Sequence, residues 1–142
     1  MSDSGNVIAL DVGDRRIGVA LANLTARMAS PLLTIDCQAE PDVFACILEL
    51  AREHNAVAVI VGLPRSMEGQ ETGQTLSARQ FAADLRKTVT IAVHLQDEAA
   101  TSLAAEDDLK ASGKPYAKGD IDKLAAAYIL RDWLEMTEEA KV

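Results

Sequence analysis

The chain has 142 residues, 49% of them apolar, and a formal net charge of −8. That length suits one domain, able to bury roughly two thirds of the surface an unfolded chain exposes, and the apolar share excludes a disordered chain. No apolar stretch approaches the roughly 20 residues that span a bilayer, so no membrane partner is expected. The acidic excess argues against a broad basic face for nucleic acid, but it is unevenly spread. The last eleven residues carry a net −3, and Asp11, Asp97, Glu98 and Asp122 add −4, which leaves −1 for everything else. The polar start MSDSGN is no secretory signal. Cys37 and Cys46 lie nine apart without metal-ligand spacing, so they read as packing or surface thiols and a reducing cytoplasm is the expected location.

Residues 6–11 and 16–21 are two apolar runs separated by DRR, a hairpin pattern. A third strand is expected near 29–35, broken by Pro31. Pro41 opens a predicted helix, DVFACILELAREHN, with Val43, Ile47, Leu50 and Ala51 on one face. AVAVIV at 56–61 reads as a strand covered on both faces, and a Gly- and Pro-rich loop follows. A helix is expected over 75–87 with Leu76, Phe81 and Leu85 inward, then a strand over 89–95 that ends at Gln96, Asp97 and Glu98. Helices are expected over 101–111 and 120–136, joined by the loop SGKPYAKG. Three early strands followed by strand–helix alternation imply a mixed α/β sheet with helices on its faces. One domain over residues 1–136 and a polar tail over 137–142 are expected.

In that layout the strands ending near Asp11, Val61 and Leu95 run parallel, and their carboxyl ends share one edge, the usual place for a site in an open α/β sheet. A carboxylate at the tip of a buried strand is costly unless something neutralises it. Side chains alternate along a strand, so only one of Asp97 and Glu98 points toward Asp11. Asp122 comes from the first turn of the last helix, where Asp120 is the natural N-cap. Each acid alone has a structural explanation: a turn beside Gly13, a helix cap, or complementing a helix dipole. Together, three carboxylates from distant segments call for hard divalent cations with oxygen ligands, Mg²⁺ or Mn²⁺. Zinc does not suit His54 and His94, which lack paired spacing. The predicted catalytic set is Asp11, Asp97, Glu98 and Asp122, with Asp11, Glu98 and Asp122 as metal ligands. Such a site suits phosphodiester hydrolysis. Arg15 and Arg16 in the first hairpin, Arg65 in the Gly/Pro loop, and Lys114 and Lys118 before the last helix are candidate phosphate contacts, and Tyr116 could stack on a base.

Five segments in order, LDVGDRRIGVA at 10–20, VGLPRSMEG at 61–69, FAADL at 81–85, DEAATS at 97–102 and KGDIDKLAAAYIL at 118–130, resemble the YqgF (RuvX-like) family of the ribonuclease H-like superfamily. The resemblance covers nearly the whole chain. It implies a ribonuclease H-like fold of five strands, with central parallel strands beside an antiparallel hairpin. It also implies a metal-dependent nuclease site made of Asp11, an acid of the Asp97–Glu98 pair, and Asp122. Structured RNA, above all the 5′ end of pre-16S ribosomal RNA, is the implied substrate, with branched DNA at a Holliday junction as the alternative. One departure stands out: Ala99 occupies the place of the family's arginine after Asp-Glu, and Arg16 or Lys118 would have to supply that charge. Two other classes fit parts of the pattern. An actin-like or sugar-kinase-like ATPase also uses Asp-x-Gly in a hairpin but needs two such domains. A non-catalytic nucleic-acid or transcription-factor-binding module could keep the scaffold. Either a monomer or a homodimer is compatible with the sequence.

Overall fold

Side-chain alternation along the first strand decides how the molecule is layered. The computed structural model describes residues 5–98 and 101–136. Strand β1 (Asn6–Val12) sends Ile8 and Leu10 to one face of the sheet and Val7 and Ala9 to the other, and all four are fully buried. A strand covered on both faces reads as a continuous apolar run, as this one does. Around it lie β2 (Arg16–Asn23), β3 (Ser30–Asp36), β4 (Ala56–Pro64) and β5 (Ala92–Glu98), in the order β3-β2-β1-β4-β5. β1, β4 and β5 are parallel, while β2 runs antiparallel to both β1 and β3. This is the mixed five-stranded sheet that the resemblance implied.

Helices α1 (Val43–Glu53) and α2 (Gly73–Thr88) cover the face of Ile8, Leu10, Ile17, Val19, Val59 and Val61. Phe44 stacks on Phe81, ring centres 4.9 Å apart, where the two helices meet. The opposite face carries Val7, Ala9, Ala20, Ala22, Ala58 and Ile60, and a single helix, α4 (Lys118–Glu135), packs its Ala126, Ile129, Leu130 and Trp133 there. The small residues on this face let α4 lie close. α3 (Thr101–Ser112) packs against α4. Among the described residues no helix is long and apolar enough to cross a membrane. Cys37 and Cys46 are free thiols, half-buried against the core.

Four expected details change. Pro31 does not break β3: it sits opposite Ala20 where the register shifts, on an edge strand that tolerates a missing N–H. Leu76 is exposed, not inward. Thr72 and Thr75 form a capping box that starts α2 at Gly73, and this phase turns Thr75, Ala78, Ala82 and Leu85 to the sheet. Val89 belongs to the end of α2, its N–H bonding to the Leu85 carbonyl, so β5 starts at Ala92. Asp120 is not the N-cap of the last helix. Ala117 holds that position, and Asp120 reaches back from the third helical residue to accept the Ala117 N–H at 2.9 Å. Asp122 is therefore the fifth residue of α4, one turn inside it. The tail at 137–142 and the Ala99–Ala100 pair lie outside the described residues.

Two glycines set how deep α4 sits. A Cβ on Gly18 of β2 would come within 1.9 Å of the Asp122 carbonyl oxygen and 2.7 Å of the Lys123 nitrogen. A Cβ on Gly62 of β4 would come within 2.6 Å of Ile129 Cδ1. The first contact is with backbone, which cannot rotate away. The helix is further pinned at both ends: Thr34 donates to the Gly119 carbonyl at 2.7 Å, and Arg27 donates to the Leu134 carbonyl. Gly18→Ala is expected to lift the start of α4 and destabilise the fold by at least about 3 kcal/mol, the upper end of ordinary overpacking. Gly69→Ala provides the control, since nothing lies within 4 Å of its Cβ position, although its positive φ adds a small strain. Urea unfolding followed through the single tryptophan, Trp133 in α4, measures both variants. Equal midpoints would show that the close approach does not matter.

Candidate active site

Asp11 lies one step beyond Ala9 on the α4 side of β1 and pairs in register with Gly18. Because Gly18 bears no side chain, the backbone of Asp122 rests directly above it, and this brings Asp122 beside Asp11. On β5, Val93, with Leu95 beside it, packs into the core on the α1–α2 side, so alternation sends Gln96 and Glu98 to the α4 side and Asp97 back toward α2. Glu98 thus shares a face with Asp11, its Cγ lying 3.5 Å from where a Gly62 Cβ would stand. Asp11, Glu98 and Asp122 line one cleft of about 190 Å³, together with Val12, Gly13 and Asp14 from the first hairpin.

Asp97 is not in that cleft. Its side chain is 67% exposed and its Oδ1 accepts from Arg65, 2.9 Å from Nη2 and 3.2 Å from Nε. The structure therefore separates the adjacent acids and brings Glu98, not Asp97, to the other two.

The electrostatics of the cleft follow from crowding. The Asp11 carboxyl is pushed up to about 7, mainly by burial and further by the charges of Glu98 and Asp122. Arg16 Nε donates to Asp122 Oδ2 at 2.6 Å, a charge-assisted bond from the start of β2 to the first turns of α4. The Thr101 hydroxyl, buried at the start of α3, donates to Glu98 Oε2. With Asp122 turned to Arg16 and Glu98 to Thr101, no three such side chains among the described residues are drawn together into a finished cation cage. The donors are nonetheless the right kind for a hard divalent ion: carboxylate oxygens from three segments, one of them held by its neighbours in a state that a cation would relieve.

Of the five expected phosphate contacts, Arg16 is at the cleft but engaged by Asp122. Arg15 is exposed in the hairpin, while its backbone carbonyl accepts from Cys37 N–H. Arg65 is held by Asp97 and Glu71, and Lys114 and Lys118 stand exposed before and at the start of α4. Tyr116 is half-buried and donates to Glu106 at 3.3 Å. The sequence reading missed Gln74, Ser77 and Ser102, which also line the cleft. The signal for the first two is Thr72 with Thr75 three residues on: a capping pair there starts a helix at 73 and points its first turn at the sheet's carboxyl edge.

Comparison with known proteins matches residues 5–136 to the model of the RuvX family, described as a Holliday junction resolvase. A Roseiflexus sp. (strain RS-1) protein provisionally named a pre-16S rRNA nuclease is 41% identical over 137 residues, 94% of this chain and 96% of its own length. A Chloroflexus aurantiacus protein of the same name is 40% identical over 131 residues, 91% of this chain and 86% of its own. Among solved structures, Thermus thermophilus RuvC in complex with a Holliday junction substrate aligns over 88% of this chain and 91% of that chain, with TM-score 0.47 and 19% identity.

The raised carboxyl predicts a pH dependence of stability. Asp11 holds a proton in the folded chain up to about pH 7 but releases it near pH 4 once unfolded. The native state therefore binds more protons between those values, and stability falls as pH rises through that window. Asp11→Asn removes the effect. In EDTA, the variant and the parent should be about equally stable near pH 4, and the variant should be more stable above pH 7, by up to about 4 kcal/mol. Chemical denaturation across pH tests this. A parent whose stability tracks that of Asp11→Asn at every pH would show that Asp11 ionises normally.

Proposed function

The chain belongs to the RuvX family, and on that premise we propose that it is a divalent-metal-dependent endonuclease that hydrolyses phosphodiester bonds in structured RNA, acting in maturation of the 5′ end of pre-16S rRNA. The observation that carries this reading is the convergence of Asp11, Glu98 and Asp122 on one face at the carboxyl edge of the parallel strands, with the Asp11 carboxyl raised to about 7 by burial and by its acidic neighbours. The names of the relatives support the substrate.

In this mechanism Asp11, Glu98 and Asp122 would hold Mg²⁺ or Mn²⁺. When bound, such an ion activates a water and offsets charge on the phosphate. The chain's own residues do the rest. Asp11 would give up the proton that burial and its acidic neighbours make it keep, so ion binding strengthens as pH rises through about 7. Thr101 keeps Glu98 turned into the cleft, and Arg16 fixes Asp122 until a ligand competes for it. Arg15, Lys114 and Lys118 are exposed and free to meet the phosphates of the substrate. Asp97 acts outside the cleft, through Arg65.

Resolution of a branched DNA junction is the second reading, favoured by the family's description. It requires two symmetrical cuts and therefore two copies of the chain on one junction. The work of the protein is cytoplasmic on either reading.

Cleavage of a pre-16S rRNA 5′-leader fragment and of a four-way DNA junction, each with Mn²⁺ and with EDTA, tests the proposal. Metal-dependent cutting of the RNA is expected, falling by on the order of 10²-fold or more in Asp11→Asn and Glu98→Gln and far less in Asp97→Asn. Cutting that survives Asp11→Asn would overturn the site assignment. Cutting of the junction alone would favour the second reading.

A further inference from the structure

The catalytic cleft is one end of a longer groove. Glu98 is shared between that cleft and an open hollow of about 430 Å³, whose other walls are Arg65, Gly69 and Asp97. Arg65 and Asp97 are shared in turn with a third hollow of about 400 Å³ at the free edge of β5, floored by Leu63, Leu95 and Met136 and flanked by Gln96 and Arg79. The shared walls make one path from the three acids, over the end of β5, to a pocket of the size that takes small ligands, roughly 300–1,000 Å³.

The far pocket has two unusual properties. Its arginines are neutralised within the protein: Arg65 pairs with Asp97 at 2.9 Å and with Glu71 at 3.4 Å, and Arg79 pairs with Glu71 at 3.0 Å. Two cations against two acids give a phosphate little net attraction, but guanidinium planes held flat by carboxylates are stacking faces for a base. The second property is Gln96. It is 8% exposed, its Nε2 donates to the Asp97 carbonyl at 3.3 Å, and its Oε1 is buried with no hydrogen-bond partner among the described residues. A buried amide oxygen without a donor is costly. The bond from Nε2 fixes which end of the amide is oxygen, because the reversed amide would set oxygen against oxygen.

We propose that this groove is a nucleotide channel leading away from the scissile site, and that Gln96 turns its buried amide oxygen outward to accept a hydrogen bond from the base of an unpaired nucleotide lodged over Leu63, Leu95 and Met136. The inference rests on the nuclease reading above and narrows it: the substrate is single-stranded on one side of the cut. A base in a duplex is held in the stack with its Watson–Crick edge turned to its partner, whereas an unpaired base can swing out, seat its face in the hollow and present that edge's N–H to Gln96. Neutral recognition of a base also suits a chain with a net charge of −8, which cannot depend on a wide basic surface.

The test uses the full chain and a short fluorescein-labelled single-stranded oligoribonucleotide with one abasic position moved stepwise along it. Binding is measured by fluorescence polarisation in EDTA, and cleavage is measured separately in Mn²⁺. In the parent protein, removing the base at one position, a fixed distance from the cut, is expected to weaken binding roughly three- to tenfold. Gln96→Leu should weaken binding of the intact oligonucleotide by a similar factor, and should add nothing to the loss at that one abasic position. Arg79→Met, at a half-exposed site, should weaken binding in the same position-dependent way. Thermal unfolding and circular dichroism verify that both variants fold. Binding by both folded variants within twofold of the parent, or losses that add equally at every position, would overturn the proposal. Gln96-dependent binding without cutting in any metal would refute the nuclease reading and leave the channel standing. Normal cutting with no Gln96 dependence would refute the channel alone.

Discussion

The whole site depends on one close approach of backbone to backbone, the start of α4 resting on Gly18. An acid on the α4 face of β1 and an acid in α4 can meet only if the helix descends to the sheet, and any side chain at position 18 would occupy the place of the Asp122 carbonyl. The register makes the arrangement local, because Gly18 is the cross-strand partner of Asp11. The rest of that face conforms to the same need. Ala9, Ala20, Ala22 and Ala58 are small, and Gly62 leaves room for Ile129. The hydrogen bonds from Thr34 and Arg27 then hold the helix at its two ends, so burial of Trp133 and Leu130 below also fixes a carboxylate above. Packing and function here are one constraint.

Bringing acids together in this way has an electrostatic consequence that the structure answers with local partners. Asp11, enclosed at the end of β1 beside two other acids, keeps its proton to about pH 7. Asp122 takes Arg16, and Glu98 takes the Thr101 hydroxyl. These partners also hold rotamers, turning Asp122 to Arg16 and Glu98 to Thr101, so any cation entering the cleft would have to displace those bonds. On the other face of β5 the same logic gives a different outcome. Asp97 and Arg65 satisfy each other and extend through Glu71 to Arg79, a chain of pairs that shapes the groove beyond the cleft. Alternation along one strand separates two neighbouring acids into two tasks.

Much of this was legible in the sequence, for physical reasons. The apolar runs at 6–11, 16–21 and 56–61 have only one way to be buried on both faces, so the strands and their parallel and antiparallel pairing follow from pattern and loop length. Asp11 and Asp122 stand out because acids at a strand tip and near a helix start must be explained. The choice between Asp97 and Glu98 was narrowed to one of two by strand periodicity but not decided. It turns on which face α4 covers, and that is a tertiary fact with no local signature. Arg65 looked like a free cation because the acids that hold it, Glu71 and Asp97, reach it only through a turn and a neighbouring strand. Leu76 and Asp120 were misplaced for a smaller reason, helix starts expected two residues too late: Thr75 rather than Leu76 takes the inward place in the first turn of α2, and Ala117 rather than Asp120 takes the N-cap of α4. Gly18 was visible only as a glycine in a strand, and its meaning appears when the helix is laid across it.

The central claim, that Asp11, Glu98 and Asp122 form one cation site while Asp97 does not belong to it, is tested most directly by Mn²⁺ titration of the nucleic-acid-free protein, read by the electron paramagnetic resonance signal of free Mn²⁺. The account predicts saturable binding by the parent, its loss in Asp11→Asn, Glu98→Gln and Asp122→Asn, and near-parental binding by Asp97→Asn. Equal loss in Asp97→Asn and Glu98→Gln, or binding that none of the three substitutions disturbs, would contradict it.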